Sequence, residues 1–114
     1  MIQGVPLIVY PVKDIAQAKA AYTKYVGVEP YVASPYYVGY KVGGQEIGLD
    51  PHGFEHGLTG PVAYWEVDDI HASVQAFLDA GAQTQQGIQD VGGGLLIALV
   101  KDADGNITGL RQAP

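Results

Sequence analysis

The sequence predicts an α+β domain made of two β-α-β-β-β halves, and three observations carry that expectation. The chain repeats itself: Val12-Lys13-Asp14-Ile15 returns as Val67-Asp68-Asp69-Ile70, and Pro6, Tyr10 and Tyr22 return as Pro61, Trp65 and Phe77, each 55 positions later. Each copy of the motif places an aspartate just before apolar residues at helical spacing and ends in a glycine, which is a helix start and stop. Around both helices lie short runs rich in β-branched and aromatic residues, bounded by glycine and proline, which read as strands. Two copies are too few for a solenoid, so the product is one domain, residues 1–114.

In the first half, residues 5–12 form a strand. Asp14 then caps a helix over 15–26, in which Ile15, Ala18, Ala21, Tyr22 and Tyr25 share a face and Gly27 is the stop. Three strands follow, near 29–33, over 36–42 and over 45–49, the last two joined by a Gly43-Gly44 hairpin turn. The second half repeats the order with a strand at 62–67, a helix at 70–80 ending at Gly81, and strands at 83–88, 95–100 and 107–112. The last two strands are joined through Asp104-Gly105-Asn106. The modules are therefore 1–50 and 62–114. Residues 51–61, with two prolines and three glycines, are the linker between them.

Composition excludes several classes of function. Hydrophobic residues make up 47% of the 114 and charged residues 16%, which is the balance of a packed globule. A net charge of −6 without a Lys/Arg cluster repels a phosphate backbone, so no nucleic-acid partner is expected. The absence of cysteine removes disulfides, thiol nucleophiles and thiolate zinc sites. The first ten residues lack a basic region and are interrupted by Pro6, unlike a signal peptide. No apolar run approaches the ~18 residues of a membrane span. A cytoplasmic protein without membrane contact is expected.

The ends of the halves also match: Ile47-Gly48-Leu49 answers to Thr108-Gly109-Leu110. With the doubled order, the Val-x-Asp-Ile helix entries and the closing run from Lys101 to Leu110, the chain resembles the vicinal oxygen chelate superfamily. That superfamily includes glyoxalase I, extradiol dioxygenases, fosfomycin resistance enzymes and bleomycin-binding resistance proteins. The resemblance implies a glyoxalase-like fold, in which the mixed sheets of two modules curl into a cup with helices outside and ligands within. In metal-dependent members, ligands stand on the first and last strands of each module. Those places fall here at Leu7, Val62, Gly48 and Gly109, none of which has a donor atom in its side chain. A divalent metal needs several nitrogen or oxygen donors at fixed distance, so no metal and no cofactor are expected.

Strand alternation assigns the rest of the cup. Leu7, Val9 and Pro11, then Val62, Tyr64 and Glu66, face it from the first strands of the halves, as do Glu46, Gly48 and Asp50 and Ile107, Gly109 and Arg111 from the last. Ile8, Tyr10, Val12, Ala63, Trp65 and Val67 lie under the helices. The expected ligand-binding set is Leu7, Val9, Glu46, Gly48, Val62, Tyr64, Glu66, Gly109 and Arg111: apolar walls with few orienting groups, as in organic-molecule pockets. Two readings of the glycines stand, a vacated ligand place or an ordinary close backbone approach. Tyr36, Tyr37 and Tyr40 suit core, pocket wall or dimer surface equally. Glu66 reads either as a candidate catalytic base or as a negative charge leading into a helix N-terminus. Arg111 reads either as a pocket group or as a charge on the rim.

Three motifs carry no function in this reading. His52-Gly53-Phe54-Glu55-His56 has the spacing of a zinc-protease helix, but its prolines and glycines deny it the helix that the chemistry needs. Asp102-Ala103-Asp104 opens like a calcium loop, yet positions six and twelve are Ile107 and Ala113, so a hairpin is expected. Gly92-Gly93-Gly94 does not sit between a strand and a helix.

Two functions remain. The leading one is metal-independent binding of an apolar or aromatic small organic ligand in the cup. The other is a lyase or isomerase acting on a small carbonyl compound, with Glu66 as general base and Tyr64 or Arg111 steadying the oxyanion. Sheets of this kind leave edges that pairing covers, so a homodimer is expected.

Overall fold

The computed structural model describes residues 2–114 and has the expected order of elements. The strands are β1 (Ile2–Pro11), β2 (Val32–Ala33), β3 (Val38–Val42), β4 (Gln45–Asp50), β5 (Val62–Val67), β6 (Gln83–Asp90), β7 (Leu96–Lys101) and β8 (Ile107–Gln112). Helix α1 (Ile15–Val26) follows β1 and α2 (Ile70–Asp79) follows β5. No helix among the described residues is long and apolar enough to cross a membrane. The described chain divides into two compact units, one of residues 6–62 and one of residues 2–5 with 63–114.

Residues 6–62 build a sheet in the order β2-β3-β4-β1, parallel between β1 and β4 and antiparallel elsewhere. Asp14 caps α1 as expected, its Oδ1 accepting from the Gln17 amide at 3.0 Å, and Gly27 closes the helix at φ 78°. Val38, Tyr40 and Leu49 are buried beneath α1, with Tyr10, Val12, Ile15, Ala18 and Tyr22 packed around them. The fully buried Tyr40 keeps its phenol satisfied by donating to the Lys19 carbonyl at 3.0 Å, with Thr23 Oγ1 at 2.8 Å. Gly43 and Gly44, at φ 55° and 82°, make the tight β3–β4 turn, whose two left-handed residues suit the twist of a hairpin.

The second unit repeats the plan in the order β5-β8-β7-β6, again with one parallel pair, β5 and β8. Asp69 caps α2 through the Ala72 amide at 3.1 Å. The Gln112 side chain, on β8, accepts from the Ile70 amide at 2.7 Å and so ties the helix start to the last strand. Val67, Ile70, Ala98 and Leu110 form the buried core, with Trp65, Val74, Phe77, Ile88 and Leu96 packed against it. The Trp65 indole N–H donates to Thr108 Oγ1 at 3.0 Å.

Several boundaries differ from expectation: β3 begins at Val38 and not at 36, and β6 runs to Asp90 and not to 88. Strand β1 begins at Ile2, before residue 5, and the Gln3 amide there donates to the Asp68 carboxylate. Strand β2 is only two residues long, because Pro30 and Pro35 bracket it and proline cannot donate to a ladder. The linker holds a single 3-10 turn, Phe54–His56, and buries Leu58.

Two expected outcomes follow. Leu110→Ala should lower stability by about 2–5 kcal/mol, the range for emptying a packed leucine site, measured by urea unfolding. The hairpin over 102–106 makes the second outcome a matter of pH. Asp102 accepts from the Asn106 side chain at 3.1 Å and from the Asn106 and Asp104 amides at 2.8 and 2.9 Å. These bonds, the Asn106 side chain foremost, hold its carboxyl below the ordinary carboxylate range. The folded value is the depressed one, so the stabilisation is present at neutral pH and lost as pH falls through it. Thermal melts of Asp102→Ala should lie below wild type at pH 7 and converge with it as pH falls below the ordinary carboxylate range. A gap of constant size across pH would contradict this.

Candidate functional site

The parallel pairs place the candidate residues. In the first unit β1 and β4 align Leu7 with Glu46, Val9 with Gly48 and Pro11 with Asp50. In the second, β5 and β8 align Tyr64 with Gly109 and Glu66 with Arg111. The register is thus repeated: Val9–Gly48 answers to Tyr64–Gly109, and Pro11–Asp50 to Glu66–Arg111. Neighbouring residues Tyr10, Val12, Leu49, Trp65, Val67 and Leu110 pack with the helices. By alternation the candidate residues therefore occupy the helix-free face of each sheet.

The positions where the resemblance leads one to expect metal ligands hold no donors. Leu7 is half-buried and Val62 buried, and Gly48 and Gly109 are buried glycines. No three His, Cys, Asp or Glu side chains among the described residues are grouped to hold a metal ion. The residues present do not fit the divalent metal that metal-dependent members of the family carry. His52 and Glu55 of the protease-like string meet each other instead, Nδ1 to Oε2 at 3.4 Å, on the exposed 3-10 turn.

The glycines do not leave empty space directly above them. A side chain at Gly48 would run into the Tyr37 hydroxyl, and one at Gly109 into the Tyr64 ring. Gly39, paired with Gly48 across β3 and β4, lies under the Tyr31 ring, whose Cε1 would be 2.9 Å from an added Cβ. Three helix-free glycines thus each carry a tyrosine, an arrangement in which an aromatic ring covers backbone that has no side chain of its own. Of the tyrosines left open by the sequence, Tyr40 is core, Tyr37 lies over Gly48 and Tyr36 is exposed. Tyr31 and Tyr37 are absent from the expected binding set. Their signal was the glycine on a neighbouring strand, which only the register reveals.

The charged groups on these faces are already matched. Glu66 Oε1 accepts from Arg111 Nη1 at 2.7 Å and Oε2 from the Ala113 amide at 2.9 Å. Both side chains of that ion pair are largely buried, at 17% and 22% exposed. Glu46 accepts from the Tyr31 hydroxyl, and the Lys41 ammonium stands 4.7 Å from the Tyr31 ring centroid. Glu66 thus engages both of its carboxylate oxygens within the fold.

These features agree with what comparison finds. A model of the glyoxalase/bleomycin resistance protein/dioxygenase superfamily matches residues 4–109, and the chain belongs to that superfamily. Among curated proteins none matches. Among solved structures, NAD-dependent benzaldehyde dehydrogenase from Legionella pneumophila is similar at TM-score 0.76 and 17% identity, over 95% of this chain and 98% of that one. A superfamily member from Vibrio splendidus 12B01 gives 0.71 and 18% over 98% of each. Methylmalonyl-CoA epimerase from Mycobacterium tuberculosis gives 0.69 and 17% over 99% and 90%. At such identities the likeness establishes the fold.

The tyrosine-on-glycine packing has a direct test. Gly109→Ala should cost about 1–3 kcal/mol by forcing the Tyr64 ring aside. In a double-mutant cycle with Tyr64→Ala, the cost of the added methyl should shrink, giving a coupling of about 0.5–3 kcal/mol. Additive effects in urea unfolding would show that the ring does not rest on Gly109.

Proposed function

We propose that this superfamily member is a metal-independent binding protein for an apolar or aromatic organic molecule, held on the helix-free sheet faces. The observation that supports the reading is the set of donor-free residues Leu7, Val62, Gly48 and Gly109 where the resemblance leads one to expect metal ligands, with tyrosines over the two glycines. Tyrosine supplies a broad ring face and a polar tip, which suits aromatic ligands. The acids of these faces have partners within the fold: Glu46 is bound by Tyr31 and Glu66 by Arg111. Matched charges favour an uncharged guest, because a charged one must compete with internal partners for a group already satisfied. Leu7 and Val9 supply apolar wall beside Gly48.

The experiment begins with native mass spectrometry of untagged protein to identify any copurifying organic molecule, followed by titration of that compound. If nothing copurifies, a panel of neutral aromatic compounds is titrated instead. Tyr64→Ala and Tyr37→Ala should each weaken binding about tenfold or more, equivalent to roughly 1.4 kcal/mol. Affinity should be unchanged by a chelator, and elemental analysis should find no stoichiometric zinc, nickel, manganese or iron. One equivalent of tightly held metal, or loss of binding with chelator, would overturn the reading.

A further inference from the structure

The two halves differ most where β2 meets α1. In the second unit α2 packs against the eight-residue β6 as well as β7 and β8. Its Val74 packs against the core. In the first unit the strand corresponding to β6 is the two-residue β2, and α1 packs chiefly on β3 and β4. The residue corresponding to Val74 is Lys19, and it is exposed. What the shortened strand leaves uncovered is a groove of about 410 Å³, walled by Ile15 and Ala16 of α1, Ala33 of β2, Pro35, and Val38 of β3, with Lys19 among its lining.

The chemistry of that groove selects an occupant. Its volume lies in the range of small-molecule sites, roughly 300–1,000 Å³, and its walls are apolar. Ser34, the other polar residue in the lining, is committed to its own turn: its hydroxyl oxygen accepts from the Tyr36 and Tyr37 amides, each at 3.1 Å. Lys19 is therefore the one lining charge, and among the described residues none pairs with its ammonium. Its backbone is held in place by Tyr40, which donates to the Lys19 carbonyl at 3.0 Å. The helix carries two lysines, Lys19 and Lys24, and no acid, on a chain of net charge −6. Apolar walls with a single unpaired ammonium complement an apolar tail carrying one negative charge.

We propose that the α1–β2 groove is a second binding site, for a small apolar carboxylate. It shares none of the tyrosine-bearing positions of the proposed binding faces, so the two readings stand or fall separately.

Sodium octanoate is the probe, titrated into ¹⁵N-labelled protein with 1-octanol as its uncharged counterpart. Amides of residues 15–19 and 33–38 should shift together and saturate. Octanoate should bind at least fivefold more tightly than octanol, and Lys19→Gln should remove that preference. Lys24→Gln should leave affinity within twofold. Ala16→Leu, on the exposed side of α1, should fill the groove and abolish the shifts while thermal stability holds. The proposal is overturned by equal affinity for octanol and octanoate, by unchanged octanoate affinity in Lys19→Gln, or by shifts elsewhere. It is equally overturned if light scattering shows a dimer that Ala16→Leu dissociates, since a second copy then occupies the groove. The Tyr64→Ala variant, whose change lies outside the groove, should bind octanoate like wild type whatever its effect on the other ligand.

Discussion

The parallel pairing of first and last strand within each half is the constraint on which the rest depends. Two parallel strands cannot be joined by a tight turn, so every half must send its chain through a helix and two further strands before β4 or β8 returns beside β1 or β5. That return decides the register, and the register decides which side chains share a face. Once Val9 lies beside Gly48 and Tyr64 beside Gly109, alternation commits Tyr10, Leu49, Trp65 and Leu110 to the helix side. The apolar core and the candidate faces are therefore two consequences of one alignment. A slip of a single residue would exchange them.

The helix-free faces show how a sheet can carry glycines at buried strand positions. A glycine in a strand weakens it, since the backbone pays more entropy and gains no packing. Here the deficit is offset by rings: Tyr31 over Gly39, Tyr37 over Gly48 and Tyr64 over Gly109. The Glu66 carboxylate, largely buried, needs a partner and finds a charged one in Arg111 across the parallel pair.

Much of this was legible in the residues alone. The repeated Val-x-Asp-Ile entry marked both helices to within a residue or so, because capping chemistry is local and Asp14 and Asp69 do the same work in the structure. Strand faces were legible because alternation is local too. What lay beyond the sequence was non-local. Neither Tyr31 nor Tyr37 announces which glycine it will cover, because the contact depends on a partner strand many residues away. The early start of β1 follows from pairing and from the Gln3–Asp68 contact, not from its own composition. Gly48 and Gly109 were correctly placed on the face, but whether space or a ring stood over them was beyond reach of any pattern.

Internal repetition turns the chain into its own control. Where the copies agree, as in their caps, core positions and strand register, the common physics of the fold explains both, and a specific function is not needed. Where they differ, a local cause has to be found. Lys19 against Val74 is such a place: the same helical position faces a long strand in one unit and a strand cut short by Pro30 and Pro35 in the other. Burial there would require an apolar residue, and exposure permits a charge. The proline pair thus comes first in the causal order, the uncovered flank of α1 follows from it, and the lysine is tolerated because its position is exposed. The asymmetry arises from backbone chemistry in β2, and any binding there is a property that one half has and the other lacks.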